Sequence, residues 1–215
     1  MTSHRIDQTL AEDLRRADPG GKVDALFDYL QRKGGVHYEE EVTQLEHGLQ
    51  AAALARSAGG TAGQITSALF HDLGHLLVEE PQGDLFAEDF VHEEVGAAYL
   101  APYFPPQVTV PIALHVPAKR YLCTVDESYY DGLSAASKKS LEIQGGKMSR
   151  QERSEFETTP HLEFACQLRR WDDGGKQSGI EVPDLESYRG DVLASLVYTG
   201  FVYCFNCQVF GQRYW

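Results

Sequence analysis

The adjacent pair His71-Asp72, at the end of an apolar run through Ile65, Ala68 and Leu69, is the feature that most restricts what this chain can fold into. A carboxylate inside an apolar helical segment is costly to bury unless it is paired or coordinated, so the fold has to bring partners to it from distant parts of the chain. The candidates stand in order: His47 upstream, then His92 and His115, and Asp172 far downstream. Four imidazoles and two carboxylates can bind two metal ions rather than one. Neutral imidazole suits iron, zinc, copper or nickel, and a carboxylate suits harder cations and can bridge two metals. A dinuclear metalloenzyme is the reading that others must displace.

The pattern around these residues is helical. Val23, Leu26, Phe27 and Leu30 recur at helical spacing and stop at Gly34-Gly35. A second helix runs from about Glu40 to Ser57 and carries His47; Thr61 and Gln64 have capping-box spacing and open a third that ends in His71-Asp72. Phe90, Val91, Val95 and Tyr99 fit a helix carrying His92, and Val108 to His115 fits another, opened by Pro105-Pro106 and closed by Pro117. From Tyr121 to about Thr159 the pattern weakens and reads as a substrate-covering loop, with a turn at Gly145-Gly146. Leu162, Ala165 and Leu168 resume it and deliver Asp172 close to Gly174-Gly175, and a last helix spans about Ser187 to Phe205. No strand-like alternation or internal repeat competes, so the fold class is all-α. The division is an appended segment at 1–20, up to the Asp18-Pro19-Gly20-Gly21 break, and a helical domain at 21–215. Ligands widely spaced in sequence are expected in such a fold, because helix-bundle metal sites are built by side chains projecting inward from several helices.

Composition narrows the partners. The chain has 215 residues, 42% of them hydrophobic, enough for one good core. Its 19 Lys+Arg against 32 Asp+Glu give a formal charge of −13, which repels polyphosphate backbones, so nucleic acid is not an expected partner. The N-terminal residues lack a signal-peptide core, and the longest apolar stretch, Val192 to Phe205, is too short and too interrupted to span a bilayer. A soluble cytoplasmic protein with no membrane partner is expected. Cys123, Cys166, Cys204 and Cys207 are too few and irregular for a disulfide scaffold, and Cys204 to Cys207 has C-x-x-C spacing without the second pair that a zinc site wants. Taken singly, a histidine is ordinarily structural or solvent-exposed, and His4, His75 and His161 are read that way, His75 least safely because it lies one turn after His71.

His47, His71-Asp72 and Asp172 match the H…HD…D signature of HD domains, and His92 with His115 adds the second pair found in dinuclear members. Three stretches sharpen the likeness: Val42-Thr43-Gln44-Leu45-Glu46-His47, Leu69-Phe70-His71-Asp72-Leu73-Gly74-His75, and Leu168-Arg169-Arg170-Trp171-Asp172-Asp173. Over roughly residues 22 to 205 the chain resembles the HD-domain mixed-valent di-iron oxygenases of the PhnZ type, which cleave the C–P bond of organophosphonates; myo-inositol oxygenase is a more distant relative. The resemblance implies an HD-type helical bundle with two iron ions, Fe(II)/Fe(III), in its core and O2 as co-substrate. It puts His47, His71 and Asp172 on one iron and His92 with His115 on the other, bridged by Asp72.

The resemblance also implies a phosphonate site at Lys119, Ser137, Ser140 and Arg169, groups whose charge and hydroxyl donors suit a dianion. Read alone, Lys119 and Arg169 are solvated surface charges and the two serines ordinary helix or loop polarity. Glu40 falls at the family's amine-binding glutamate, while Glu39 and Glu41 read as an acidic first helical turn. The family's gating tyrosine aligns with His37, and Tyr38 follows: either the gate is shifted by one position, or it uses an imidazole, or the substrate's ammonium end differs. A quaternary ammonium held by aromatic faces such as Tyr38 or Tyr130 stays open. The expected substrate is a 1-hydroxy-2-(amino or trimethylammonio)ethylphosphonate, bound on the His92 and His115 iron through its hydroxyl and a phosphonate oxygen beside Lys119, and split to glycine or glycine betaine and phosphate. The rival is an HD-type metal-dependent phosphohydrolase acting on a nucleotide or phosphate ester, which His47, His71, Asp72 and Asp172 alone would serve. A non-catalytic helical module comes last, since it makes six ordered ligand types a coincidence.

Overall fold

A computed structural model of the chain describes residues 6–35, 42–78 and 91–197. His37, Tyr38 and Glu40, the C-terminal part of the expected last helix, and Cys204 with Cys207 lie outside the described residues. Within them the elements are α1 (Thr9–Arg16), α2 (Pro19–Lys33), α3 (Gln44–Ser57), α4 (Ala62–Phe70), α5 (Leu73–Leu77), α6 (His92–Leu100), α7 (Pro106–Val125), α8 (Glu127–Gly132), α9 (Ala135–Ile143), α10 (Arg150–Phe156), α11 (Leu162–Gly174) and α12 (Arg189–Ser195). A short 3-10 turn, Leu185–Tyr188, leads into α12. The only β-type pairing among the described residues is an isolated bridge between Ile6 and Val78. The fold is an all-α bundle of the HD type.

Local chemistry starts and stops these helices. Thr61 and Gln64 form the expected capping box of α4, and Thr43 and Glu46 form another at α3, so that helix begins at Gln44. Asp18 accepts from the Gly21 amide at the start of α2, with Pro19 in its first turn, where a missing N–H costs nothing. Ahead of this break, α1 sends Leu10 and Leu14 fully into the main core, each burial contributing about 1.5–3 kcal/mol. The Tyr29 hydroxyl donates to the Leu76 carbonyl at 2.8 Å and ties α2 to the end of α5.

Two expectations fail. Pro117 does not close the helix of His115: α7 continues to Val125 with both Pro111 and Pro117 inside it. An interior proline costs about 3 kcal/mol in an isolated helix, but α7 packs on α4, α6 and α11, and this burial overrides the local penalty. The stretch from Tyr121 to Thr159 is not a covering loop either, since α8, α9 and α10 occupy it. Asp126, Ser134 and Ser149 cap those helices, and Gly145 and Gly146, at φ 96° and 71°, make the expected turn.

Candidate metal centre

The core of the bundle is where α3, α4, α6, α7 and α11 meet. His47 comes from the first turns of α3, His71 from the C-terminal end of α4, Asp72 from the junction with α5, His92 from the first position of α6, His115 from the middle of α7 and Asp172 from the last turn of α11. All six are buried. The approach of α6 to α5 depends on Gly74: a Cβ there would stand 1.9 Å from the His92 carbonyl oxygen, so any side chain would push His92 away.

Three histidines are aimed by the backbone. The Nδ1–H of His47 donates to the Gly175 carbonyl at 2.9 Å, that of His71 to Ala68 at 2.8 Å and that of His115 to Ile112 at 2.8 Å. This tautomer leaves Nε2 with a bare lone pair pointing inward. His92 differs, its Nδ1 lying 3.5 Å from the Glu93 carboxylate. The inward nitrogens pair off: His47 Nε2 is 3.1 Å from His71 Nε2, and His92 Nε2 is 3.2 Å from His115 Nε2. Two nitrogens bound at roughly 2.1 Å to one ion stand about 3.0–3.4 Å apart at ordinary coordination angles, so each pair has the spacing of two ligands on one cation.

The carboxylates sort the pairs. Asp172 reaches His47 at 3.3 Å and His71 at 3.7 Å. Asp72 reaches all four imidazoles: Oδ2 is 3.4 Å from His47, and Oδ1 is 3.5, 3.3 and 3.6 Å from His71, His92 and His115. Burial alone would raise both carboxyls, yet the facing histidines hold Asp72 well below the usual range, and Arg169 and Lys176 lead in doing so for Asp172. Burial pushes His47 down, but Asp172 and Asp72 outweigh it and lift the imidazole to about 9, so a cation bound there would displace a proton from its Nε2; burial, then the His92 and His71 imidazoles, drive His115 well below its ordinary value. A buried set of anionic oxygens and inward lone pairs fits a divalent or trivalent transition-metal ion.

His75, set aside on sequence, also belongs to this region. Its ring stacks on His92 with centroids 3.8 Å apart, and its donor atom forms a close group with those of Asp72 and His92. Burial and the neighbouring imidazolium positions push it down to about 3. The HD-x-x-H spacing was the available signal, one helical turn from ligand candidate to ring. His161 is exposed, in keeping with its sequence reading.

Beside the centre lies a cationic wall. Lys119, one turn beyond His115 on α7, is 2% exposed, and its ammonium donates to Ser140 at 2.6 Å and to Gln144 at 3.2 Å. Burial, then Arg169 and Lys176, bring it down to about 7. Lys119 is therefore no solvated surface charge. Ser137, buried on α9, lines a cavity of about 170 Å3 with Ser134, Asp173, Lys176 and Gln177. Arg169 is buried in the same wall, where its Nε and Nη2 pair with Asp173, its Nη1 pairs with Asp172, and the Tyr129 hydroxyl donates to the same Asp173. Tyr130 does not offer an open aromatic face, since the ammoniums of Lys147 and Lys138 lie 4.4 and 5.2 Å from its ring centroid.

No helix among the described residues is long and apolar enough to cross a membrane. No family model matches the chain. Known proteins do. It is 52% identical over 197 residues to a hydroxymethylphosphonate dioxygenase of Gimesia maris, covering 90% of this chain and 98% of that one. It is 38% identical over 174 residues to the glycine-betaine-forming 1-hydroxy-2-(trimethylamino)ethylphosphonate dioxygenase of Leisingera caerulea, covering 80% and 89%. An uncharacterized protein of Acanthamoeba polyphaga mimivirus shares 35% over 173 residues, 78% of each chain. Likeness of this extent to two enzymes of one kind, in a chain whose core gathers a histidine–aspartate centre suited to metal, means that this protein belongs to the phosphonate dioxygenases, oxidoreductases that act on organophosphonates.

Proposed function

We propose that this enzyme is a di-iron dioxygenase that splits the C–P bond of a short 1-hydroxyalkylphosphonate, with hydroxymethylphosphonate as its first substrate. The observation that carries the dinuclear reading is the reach of one carboxylate, Asp72, to both imidazole pairs. In this reading His47, His71 and Asp172 would hold one iron and His92 with His115 the other, and Asp72, within reach of both pairs, would serve both. Bound iron supplies O2 activation and the redox capacity that a protein side chain lacks.

The residues of the chain do the rest. Lys119 meets the phosphonate dianion, and the Ser140 hydroxyl and Gln144 amide oxygen hold the ammonium in place until the anion arrives. Ser137 adds a hydroxyl from the cavity wall. The Nδ1 anchors keep His47, His71 and His115 from rotating, so no reorganisation is needed when the substrate is bound. Burial of all six proposed ligands excludes bulk water from the reacting carbon. Hydroxymethylphosphonate and O2 then balance as formate and phosphate.

The small substrate is preferred over the amino or trimethylammonio ones for two reasons. The relative of 52% identity is the hydroxymethylphosphonate enzyme, and the Tyr130 face that could have held a quaternary ammonium is covered by lysines. The trimethylammonio substrate stands second on the strength of the Leisingera caerulea relative. The test is to load the protein anaerobically with ferrous iron, measure iron per chain and its Mössbauer spectrum, and then admit O2 with each phosphonate. Two irons per chain and equimolar formate and phosphate from hydroxymethylphosphonate, only with O2, are expected. Anaerobic phosphate release from phosphate esters at comparable rates would instead favour the phosphohydrolase.

A further inference from the structure

The three backbone-anchored histidines differ in where the anchor comes from. His71 and His115 donate to Ala68 and Ile112, carbonyls only three residues back along the same helical stretch, so each helix aims its own ring. His47 borrows its acceptor from Gly175, 128 residues away. There α11 has just ended at Gly174, and the chain from 175 to 184 runs without helix or strand until the 3-10 turn at Leu185. This stretch is held from α3. Gln50, one turn after His47 and only 5% exposed, donates through Nε2 to the Gln177 carbonyl at 2.9 Å and accepts at Oε1 from the Gln177 N–H at 3.0 Å. A primary amide has one donor side and one acceptor side, so it can satisfy both backbone groups of a single residue; a carboxylate or an apolar chain cannot. The fit against α3 is close as well. A Cβ on Gly175 would stand 3.1 Å from the Ala51 amide nitrogen and 3.3 Å from the His47 carbonyl oxygen.

We propose that Gln50 is a positioning residue for the metal centre: by clamping both backbone groups of Gln177 it keeps the Gly175 carbonyl on His47 Nδ1, and so fixes the tautomer that turns the Nε2 lone pair inward. This rests on the reading of His47 as a metal ligand given above. The hydrogen bond made by one ring nitrogen decides which nitrogen keeps the lone pair. Loss of such an outer partner lowers metal affinity or activity by roughly ten- to a hundredfold. Because His71 and His115 carry their acceptors on their own helices, the effect of Gln50 is confined to His47.

The experiment uses the full chain labelled with 15N-histidine and loaded with zinc, which is diamagnetic, beside the iron-loaded protein. The parent is expected to show protected Nδ1–H signals from His47, His71 and His115. Gln50→Met removes both bonds, and Gln50→Glu keeps the acceptor but sets an oxygen against the Gln177 carbonyl. In each, the His47 Nδ1–H should exchange with solvent about tenfold faster, the loss of one ordinary hydrogen bond, while the His71 and His115 signals and the circular dichroism stay as in the parent. In the iron-loaded variants one iron should pass to a chelator roughly tenfold faster or more, and the other at the parent rate. An unchanged His47 signal in a folded Gln50→Met or Gln50→Glu protein overturns the proposal, as does equal weakening of all three histidine signals, which would mean a general loosening of the bundle. If His47→Ala holds as much iron as the parent, it is the ligand reading that fails, and the His47 signal still decides the clamp.

Discussion

The two halves of the centre are built differently. The half made by His47, His71 and Asp172 rests on α3, α4 and α11, its two histidines have no exposed surface, both are locked by backbone carbonyls, and Asp172 is clamped by Arg169 and Lys176. The half made by His92 and His115 is looser. His92 is the first residue of α6, it follows Val91 in the left-handed region at φ 48°, its Nδ1 faces a carboxylate instead of a carbonyl, and its ring leans on His75. On the function proposed above this would be a division of labour: the rigid half would hold a metal that stays put, and the half whose His92 stands at a helix start and whose His115 lies one turn from Lys119 would hold the metal that meets the substrate.

The strongest way to break this comparison is Asp72→Ala. If Asp72 serves both halves, the variant should lose both irons and fall to background turnover; retention of one full site would show that the halves are independent. His115→Ala should divide them, emptying the substrate-side position while leaving close to one iron per chain and no turnover. Iron analysis beside the turnover assay decides each case.

Lys119→Met should spare the metal and damage binding, because a buried charge-assisted contact is worth about 1.5–3 kcal/mol, or roughly ten- to a hundredfold in affinity. The pH dependence sharpens it. Lys119 is brought down to about 7, so it is charged below that pH and increasingly neutral above it. A phosphonate dianion selects the charged form, so binding above about pH 7 must take up a proton, and affinity should fall by up to about tenfold per pH unit. Calorimetry in buffers of different ionisation heat should show that uptake at pH 8 in the parent and less of it in Lys119→Met, a comparison in which the phosphonate's own ionisation cancels.

Gly74→Ala probes only the looser half. Its Cβ would meet the His92 carbonyl at 1.9 Å, an overpacking of the kind that costs about 1–3 kcal/mol, and it should weaken the His92 and His115 metal before the other. Loss of both metals together, followed by chelator titration, would contradict the division. The smallest effect is expected from Val91→Gly. Relief of a β-branched residue from the left-handed region should raise stability by about 1 kcal/mol, seen as a higher midpoint in urea. A lower midpoint would mean that Val91 packing outweighs its strain.

Much of this protein was legible in its sequence. The helix start at Thr61, the turn at Gly145-Gly146 and the placement of six ligand-type residues on or beside helices all follow from signals acting over three or four residues. The resemblance added a grouping of those residues into two iron sites, and the distances around Asp72 are the observation on which that grouping is proposed. Other features were decided by contacts across the chain. Pro117 stays inside α7 because helices packed against α7 repay the lost hydrogen bond. Tyr129, from α8, converges on the Asp173 carboxylate that Arg169 already holds one turn along α11. His75 stacks on His92 and Lys176 reaches the cavity because α6 can close on Gly74 and α11 ends beside α9. Capping and periodicity are short-range and can be read one segment at a time, whereas the partner of a buried charge is chosen by which helices come to lie together.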